Sequence, residues 1–200
     1  MPHLMDTRSR AEELMHASWR LIDEGGTRAV TLRRLGDEVG IAPSSIVHQL
    51  TNQERLVRVL AVMTNDEHLA RTQVRSLTEG WAGFLPRDEE DLLVLRAWLA
   101  WSELGRADRE LGDVLDVRHA RERSVVTGRL QRQLDHEPTD VLVESVLALV
   151  RGLQLAVTLR PGGLDPELAR TALVEGVPQL TAAAAASRSE ATMASGSSAE

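Results

Sequence analysis

The chain has 200 residues, a formal net charge of −7 and no cysteine, and all 23 of its basic side chains are arginine. A chain of this length buries enough apolar surface to fold without disulfides or metals, and the missing cysteine excludes thiolate nucleophiles and Cys-ligated zinc. The N-terminus lacks the apolar core of a signal peptide, and the most apolar segment, 141–159, carries Glu144 and Arg151. We therefore expect a cytoplasmic protein with no membrane-spanning segment.

The first predicted helix is amphipathic over about 11–22, and the segment 31–50 that follows predicts two short helices joined by a tight turn. Thr31 suits the N-cap of the first short helix. Gly40 can adopt the left-handed conformation that ends it, and Pro43 suits the first turn of the second. This pattern is typical of a helix-turn-helix, whose second helix enters the major groove of DNA. The spacing is also compatible with any small helical bundle.

A long fourth helix is predicted from about residue 52 to 76, because Thr51-Asn52-Gln53-Glu54 has the form of a capping box. In such a box the Thr51 hydroxyl and the Glu54 carboxylate each satisfy a backbone N–H. Gly80, Gly83 and Pro86 interrupt the helical pattern beyond it. Further helices are expected at about 89–104, at 109–134 with a possible break near Gly112, at 141–159, and from Asp165-Pro166 onward.

Many residues between Arg8 and Leu60 occupy the positions of a family motif; they are Ala17, Leu21, Gly25, Gly26, Ala29, Thr31, Leu32, Leu35, Val39, Gly40, Ile41, Pro43, Ser44, Ile46, His48, Leu50, Asn52, Glu54 and Leu56. Through these residues the segment resembles the N-terminal domain of the TetR family of bacterial transcriptional regulators. The rest of the chain resembles the sensor domains of that family in length, helical character and layout. The resemblance implies a ligand-responsive transcriptional regulator, a repressor that binds a palindromic operator as a homodimer and is released by a small effector.

The predicted fold is therefore all-α, with a three-helix helix-turn-helix DNA-binding domain followed by a helical bundle for sensing and dimerisation, about nine helices in total. We expect the DNA-binding domain at 1–51, the ligand-sensing and dimerisation domain at 52–186, and a disordered tail at 187–200. The tail is predicted because the chain there is rich in alanine and serine and poor in large apolar residues.

Residues of the predicted helix-turn-helix and its flanks form the candidate DNA-binding set: Arg8, Arg28, Thr31, Arg33, Arg34, Pro43, Ser44, Ser45, Val47, His48, Asn52 and Gln53. Val47, Gln49 and Gln53 depart from the family, which usually has two aromatic residues and a lysine there. Because such residues typically hold phosphates, and phosphate contacts supply much of the affinity for DNA, a second hypothesis remains open. It is a TetR-like dimer with weakened DNA binding that acts as a ligand- or protein-binding module.

Aromatic residues of the predicted sensor domain form the candidate ligand site. Trp98 and Trp101 share one helical face and could line a pocket, although such a stripe more often packs in a core. Arg118 could hold an anionic group, or it could lie on a solvated, salt-bridged face. The full candidate set is Trp81, Phe84, Val94, Trp98, Trp101 and Arg118.

The last two predicted helices form the candidate dimer interface. The helix at 141–159 is apolar on more than one stripe, which indicates that it is covered on more than one face. The covering partner could be a second copy of the chain, or the helix could be buried centrally in its own domain. The candidate interface residues are Leu142, Val146, Leu149, Leu153, Leu168, Leu173, Gly176 and Leu180.

Enzymatic functions find little support. The six histidines are scattered without metal-ligand spacing, and there is no glycine-rich phosphate loop or nucleophile–base pair. We therefore expect no catalysis, no metal and no cofactor. The expected partners are double-stranded DNA, a second copy of the chain and a small effector that the sequence does not identify.

Overall fold

The computed structural model describes residues 3–50, 52–159 and 162–196, with side chains except those of residues 3–8, 47–50, 118 and 189–196. The described ranges contain eight α-helices and two 3-10 turns and no strand, which confirms the predicted all-α class. The helices are α1 (His3–Gly25), α2 (Leu32–Val39), α3 (Pro43–Leu50), α4 (Gln53–Thr78), α5 (Glu89–Gly105), α6 (Arg109–Gln131), α7 (Asp140–Thr158) and α8 (Pro166–Gly196), with 3-10 turns at Thr27–Ala29 and Gly80–Phe84.

Two helices differ from the sequence prediction. α6 runs without a break through Gly112. α8 continues to Gly196, although a disordered tail was expected from residue 187. The run of five alanines at 182–186 explains the continuation, because alanine has the highest intrinsic helix propensity. Residues 197–200 of the predicted tail lie outside the described ranges.

The described chain divides into two compact units, and the division differs from the predicted boundary at 51/52. The first unit contains the residues up to 71 together with 88–120, and the second contains 72–87 and the residues from 121 onward. The difference arises because the core of the first unit draws on more than the helix-turn-helix. Leu56 and Leu60 of α4, Trp101 of α5 and Leu111 of α6 pack in one apolar cluster with α1, α2 and α3.

Buried hydrogen bonds fasten the first unit around α4. The indole N–H of Trp19 donates to Thr64 Oγ1 at 2.9 Å, which joins α1 to α4. The indole N–H of Trp98 donates to Asn65 Oδ1, also at 2.9 Å, which joins α5 to α4. Because every donor and acceptor in these two bonds is a buried side chain, breaking either one would leave a costly unsatisfied polar group.

The second unit is held together around the 3-10 turn Gly80–Phe84. Arg170 of α8 donates to the carbonyl oxygen of Ala82 at 3.2 Å, and Gln154 of α7 donates to that of Phe84 at 3.0 Å. By length and composition α7 could span a membrane, the one such helix in the described ranges. Seven of its residues are nevertheless buried in the protein, and the core helix of a globular domain has the same composition.

Candidate functional site

The turn between α2 and α3 depends on two glycines. Gly40 has a φ of +70° and its N–H donates to the carbonyl oxygen of Gly36, as expected for a left-handed helix end. A Cβ on Gly36 would lie 2.5 Å from the carbonyl oxygen of Ile41, so only glycine fits. Gly40 was predicted from the sequence, and Gly36 was not. The available signal was the cost of a glycine inside an eight-residue helix, about 1 kcal/mol relative to alanine.

The start of α3 presents its first residues to solvent. Pro43, Ser44 and Ser45 are all exposed, whereas Ile46 is only 1% exposed and anchors α3 in the core of the first unit. Side chains at the start of a recognition helix are the ones that reach base edges in a helix-turn-helix. The other predicted DNA-contacting side chains on α1 and α3, those of Arg8, Val47 and His48, lie outside the described residues.

The arginines near α2 differ in how far they are already paired. Arg28 is exposed with no ion pair among the described residues. Arg33 is 88% exposed at its side chain and lies 4.0 Å from Asp37. Arg34 pairs with Glu24 at 2.5 Å. Exposed ion pairs contribute little free energy, so phosphates can compete with these carboxylates, but Arg28 and Arg33 are the cations most available to DNA.

The N-terminus of α4 is capped, and its first residue is bonded to the helix-turn-helix. Asn52 Oδ1 accepts from the N–H of Arg55 at 2.8 Å, so Asn52 caps the helix. Thr51, which was predicted to pair with Glu54 in a capping box, lies outside the described residues. The side-chain amide of Gln53 donates from Nε2 to the carbonyl oxygen of Val30 at 2.8 Å and accepts at Oε1 from the N–H of Leu32 at 3.2 Å. Gln53, a predicted DNA contact, thus has both ends of its amide engaged on backbone.

A pocket of about 350 Å³ opens in the first unit beside Gln53. Its lining consists of Thr27, Arg28, Val30, Thr31, Gln53, Glu54, Val57, Trp101, Leu104 and Asp108. Trp101 is the one predicted ligand-binding residue in this lining, and its buried indole N–H has no hydrogen-bond partner among the described residues. Because Thr31 is part of its lining, the pocket lies next to the N-cap of α2.

Asp108 links the starts of α4 and α6. Its Oδ1 accepts from the N–H of Leu111 at 3.1 Å, and its Oδ2 accepts from Arg58 Nε at 3.1 Å. The Leu111 N–H and the Arg58 guanidinium, together with a smaller backbone contribution from Glu110, hold the pKa of Asp108 below its ordinary value. Arg58 also pairs with the Glu110 carboxylate, so these ion pairs join the second turn of α4 to the start of α6.

The aromatic residues predicted to form one ligand site belong to two different units. Trp98 is buried in the first unit, where its ring stacks on His68 with 4.6 Å between centroids. Trp81 and Phe84 stack on each other in the second unit at 5.4 Å. Val94 and Trp101 are also buried in the first unit, whereas the side chain of Arg118 lies outside the described residues. Among the described residues, no group of three or more His, Asp or Glu side chains is placed to hold a metal ion.

The second unit contains buried polar atoms without a hydrogen-bond partner in the described chain. They are Thr72 Oγ1 on α4, Glu122 Oε1, Thr127 Oγ1 and Arg129 Nε on α6, and Gln154 Oε1 on α7. The Arg129 guanidinium also lies 5.3 Å from the centre of the Trp81 ring, and burial together with Arg132 lowers its pKa. Buried polar atoms in proteins normally have partners, which makes these five atoms candidates for contact with a bound molecule.

The predicted dimer residues lie mainly on the inner faces of α7 and α8. Leu142, Val146 and Leu173 are 3%, 0% and 0% exposed, so their side chains are already covered within one chain and are not available to a partner. Leu149 packs on Gly176, where a Cβ would lie 3.0 Å from Leu149 Cδ2. Among the remaining predicted residues, Leu153 and Leu180 are half-buried and Leu168 is 57% exposed.

Another apolar stripe of α7 is exposed and was not predicted from the sequence. Its members are Val141, Ala148, Gly152 and Leu155, which recur at helical spacing, and Leu159 directly after the helix; Leu168 and Val174 of α8 are also exposed apolar residues. We call these seven residues the α7–α8 face. The two α7 stripes that periodicity predicts, one through Leu142 and Val146 and one through Val143 and Leu147, are both largely buried, so the exposed stripe is a third one.

Comparison with known proteins relates this architecture to transcriptional regulators. The sequence model of the family described as BetI-type transcriptional repressor, C-terminal, matches residues 70–182. The chain is 24% identical over 187 residues to the HTH-type transcriptional regulator BetI of Vibrio campbellii, covering 85% of this chain and 91% of that protein. It is 22% identical over 189 residues to the HTH-type transcriptional regulator PksA of Bacillus subtilis, covering 88% and 92%.

Solved structures show the same fold. A transcriptional regulator from Rhodococcus superposes with a TM-score of 0.73 at 18% identity, covering 85% of this chain and 95% of that one. A putative transcriptional regulator from Saccharomonospora viridis, solved in complex with choline, superposes with a TM-score of 0.72 at 17% identity, covering 86% and 96%. With more than half of its length matched by the family model, this chain belongs to the TetR family of transcriptional regulators and has a C-terminal domain of the BetI type.

Proposed function

We propose that this regulator is a cytoplasmic repressor that binds a palindromic operator as a homodimer and is released by a small effector. The observation that carries the proposal is the exposed start of α3, where Pro43, Ser44 and Ser45 face solvent while Ile46 is fixed in the core. A rigidly anchored helix with a polar exposed N-terminal turn, next to the available cations Arg28 and Arg33, has the requirements for reading a major groove.

DNA binding is tested by fluorescence anisotropy with the DNA that flanks the gene, in the presence of scrambled competitor and across a salt series. Saturable binding that survives the competitor supports the repressor. Ser44→Ala is expected to weaken this binding and to lower discrimination against the competitor, because Ser44 lies where base edges are read. Ser102→Ala is a matched control on α5, away from the helix-turn-helix. Equal affinity of the Ser44 variant and the wild type would contradict this placement.

A second candidate function is a ligand- or protein-binding module with weak DNA binding. Two observations favour it: Arg34 is already paired with Glu24, and the amide of Gln53 is engaged on backbone. Both reduce the number of groups that can hold phosphates, which supply most of the salt-dependent affinity. This alternative predicts that the anisotropy signal is erased by the competitor at every salt concentration.

The α7–α8 face supports the homodimer. Soluble monomers rarely expose large apolar patches, and four of the seven residues lie on one side of α7, with Leu159 directly after its end. The small side chains at Ala148 and Gly152 let two α7 helices approach closely across a two-fold axis. A dimer also matches the geometry of a palindrome, whose half-sites lie about 34–36 Å apart along the duplex.

The interior of the second unit is the proposed effector site. Thr72 supplies its sharpest test, because its hydroxyl is 1% exposed and lacks a hydrogen bond among the described residues. The nearly isosteric Thr72→Val variant removes this buried unsatisfied group, so the effector-free protein should become as stable as the wild type or more stable. If the hydroxyl serves the effector, the same variant should lose the release of DNA.

Choline is the first compound to test, because it is present in the Saccharomonospora viridis neighbour. Choline is added to the DNA complex and the fraction of bound DNA is followed by anisotropy. Release from the wild type at a concentration that leaves Thr72→Val bound supports the site. A destabilised Thr72→Val variant, by contrast, would indicate that the hydroxyl already has a structural partner.

A further inference from the structure

The side chain of Gln53 connects the first turn of α4 to the backbone on both sides of the α2 N-cap. Its Nε2 donates to the carbonyl oxygen of Val30 at 2.8 Å, and its Oε1 accepts from the N–H of Leu32 at 3.2 Å. We call this pair of hydrogen bonds the Gln53 clamp. The residue between its two attachment points, Thr31, is the N-cap of α2 and accepts from the N–H of Arg34 at 3.2 Å. The clamp therefore holds the segment that sets the direction of α2.

The clamp requires an amide. The N–H of Leu32 is one of the first N–H groups of α2, which have no partner inside the helix, and it needs an acceptor. The carbonyl of Val30 needs a donor. A glutamine side chain presents one of each at the right separation, whereas lysine has only donors and methionine has no strong donor or acceptor.

Apolar packing does not replace the clamp on this side of the unit. The pocket of about 350 Å³ is lined by Val30, Thr31 and Gln53 on one side, with Trp101 and Leu104 also in its lining. Val30 lies in the apolar core and Leu32 packs against it, whereas Thr31 and Gln53 border the open pocket. Apolar packing is not directional, so the two hydrogen bonds of the clamp fix the orientation of this segment relative to α4.

We propose that Gln53 is a positioning residue for DNA binding: through the clamp it fixes α2, and with it α3, to the first turn of α4. The proposal rests on the proposed DNA-binding function and assigns Gln53 a role other than a phosphate contact. A change in the position of α4 is then transmitted to the helix-turn-helix through a side chain bonded at both ends. Removing the Gln53 amide uncouples α4 from the helix-turn-helix and leaves the other predicted DNA-contacting side chains unchanged.

The test compares Gln53→Met and Gln53→Lys with the wild type, and uses Gln73→Met as a control at an exposed position of the same helix. Each protein is titrated with the flanking DNA across a salt series, and the exchange of the Leu32 amide hydrogen is measured. For Gln53→Met we expect an affinity about tenfold lower, the equivalent of roughly one to two net hydrogen bonds. The salt dependence should not change, and the Leu32 amide should exchange faster. Gln73→Met should match the wild type in all three measurements.

Gln53→Lys separates the clamp from a direct phosphate contact. If position 53 contacts a phosphate, the added charge should raise affinity and steepen its salt dependence. The clamp predicts weaker binding than the wild type in spite of the charge. Tighter, more salt-dependent binding by Gln53→Lys would overturn the proposal, as would wild-type affinity and wild-type Leu32 exchange in Gln53→Met. If the wild type itself shows no competitor-resistant binding, the proposed function fails and the DNA role of Gln53 with it. The Leu32 exchange would still show whether the clamp forms.

Discussion

Replacing Gly36 by alanine should damage the helix-turn-helix more than any other single methyl group added to a glycine of the first unit. The new Cβ would lie 2.5 Å from the carbonyl oxygen of Ile41, a backbone atom that cannot rotate away, so the turn must open by about 1 Å. The same turn holds the hydrogen bond from the Ile41 N–H to the Gly36 carbonyl oxygen at 2.9 Å. Overpacking of this kind costs about 1–3 kcal/mol, and weakening the bond adds about 1 kcal/mol.

The better helix propensity of alanine offsets about 1 kcal/mol of this cost, which leaves a net loss of about 1–3 kcal/mol in the free energy of unfolding. For a chain of this size each kilocalorie lowers the melting temperature by about 2–4 °C. The control is Gly128→Ala inside α6, where the nearest atom to the new Cβ is the mobile end of Arg132 at 3.7 Å. This control should gain about 0.5–1 kcal/mol, since only the propensity term remains.

DNA affinity should fall in Gly36→Ala beyond what its stability predicts, because α3 is displaced relative to α2. Losing even one well-placed base contact costs about 1–3 kcal/mol, so we expect a decrease of about tenfold or more in anisotropy titrations at a temperature where the variant is fully folded. Denaturant unfolding followed by circular dichroism supplies the stability. A Gly36→Ala protein as stable as Gly128→Ala, with wild-type affinity, would refute the steric argument.

Three further changes test separate parts of the structure. Arg33→Ala should reduce the slope of log affinity against log salt concentration by about one unit if Arg33 contacts a phosphate, and an unchanged slope would exclude that contact. Leu155→Glu on the α7–α8 face should convert a dimer to a monomer in sedimentation velocity, whereas Val74→Glu, at another exposed apolar residue, should not. Asp108→Asn should destabilise the protein at pH 7. Because the pKa of Asp108 is lowered in the folded state, its contribution is complete above the unfolded value of about 3.9. The difference from the wild type should therefore shrink as the pH falls through the folded pKa, and an equal difference at pH 7 and pH 3 would contradict the ion pair.

Local sequence rules predicted the helix-turn-helix well because they describe short-range chemistry. Thr31 caps α2 through its own side chain, and Gly40 adopts the left-handed conformation, as expected from residue type alone. Pro43 likewise begins α3. The conformation at each of these positions is decided within a few residues, which is why a single sequence suffices to find it.

The parts that the sequence did not predict depend on contacts between distant residues. The clamp joins Gln53 to backbone 21 and 23 positions away, and no pattern within one helix could indicate it. The exposed stripe of α7 was missed for the same reason: the helix is apolar on several sides, and only the packing of α8 and of the turn Gly80–Phe84 decides which sides are inside. Gly36 lies between these two cases. Its position inside a helix could be predicted from the sequence, but the close approach of the Ile41 carbonyl oxygen could not.

The first turn of α4 attaches a helix that runs through both compact units to the start of the helix-turn-helix. The division between the two compact units falls within α4, near residue 71, and within α6, near residue 120. Each of these two helices is bonded near its start inside the first unit, α4 through Gln53 and Arg58 and α6 through Asp108. Under the proposed function, an effector bound in the second unit would act on the helix-turn-helix through these two continuous helices, which the Arg58–Asp108 pair joins; Gln53 is the residue through which α4 holds the start of α2. Breaking the Arg58–Asp108 pair should loosen the attachment of both α4 and α6 in the first unit, whereas breaking the clamp should loosen only the attachment of α4 to the start of α2.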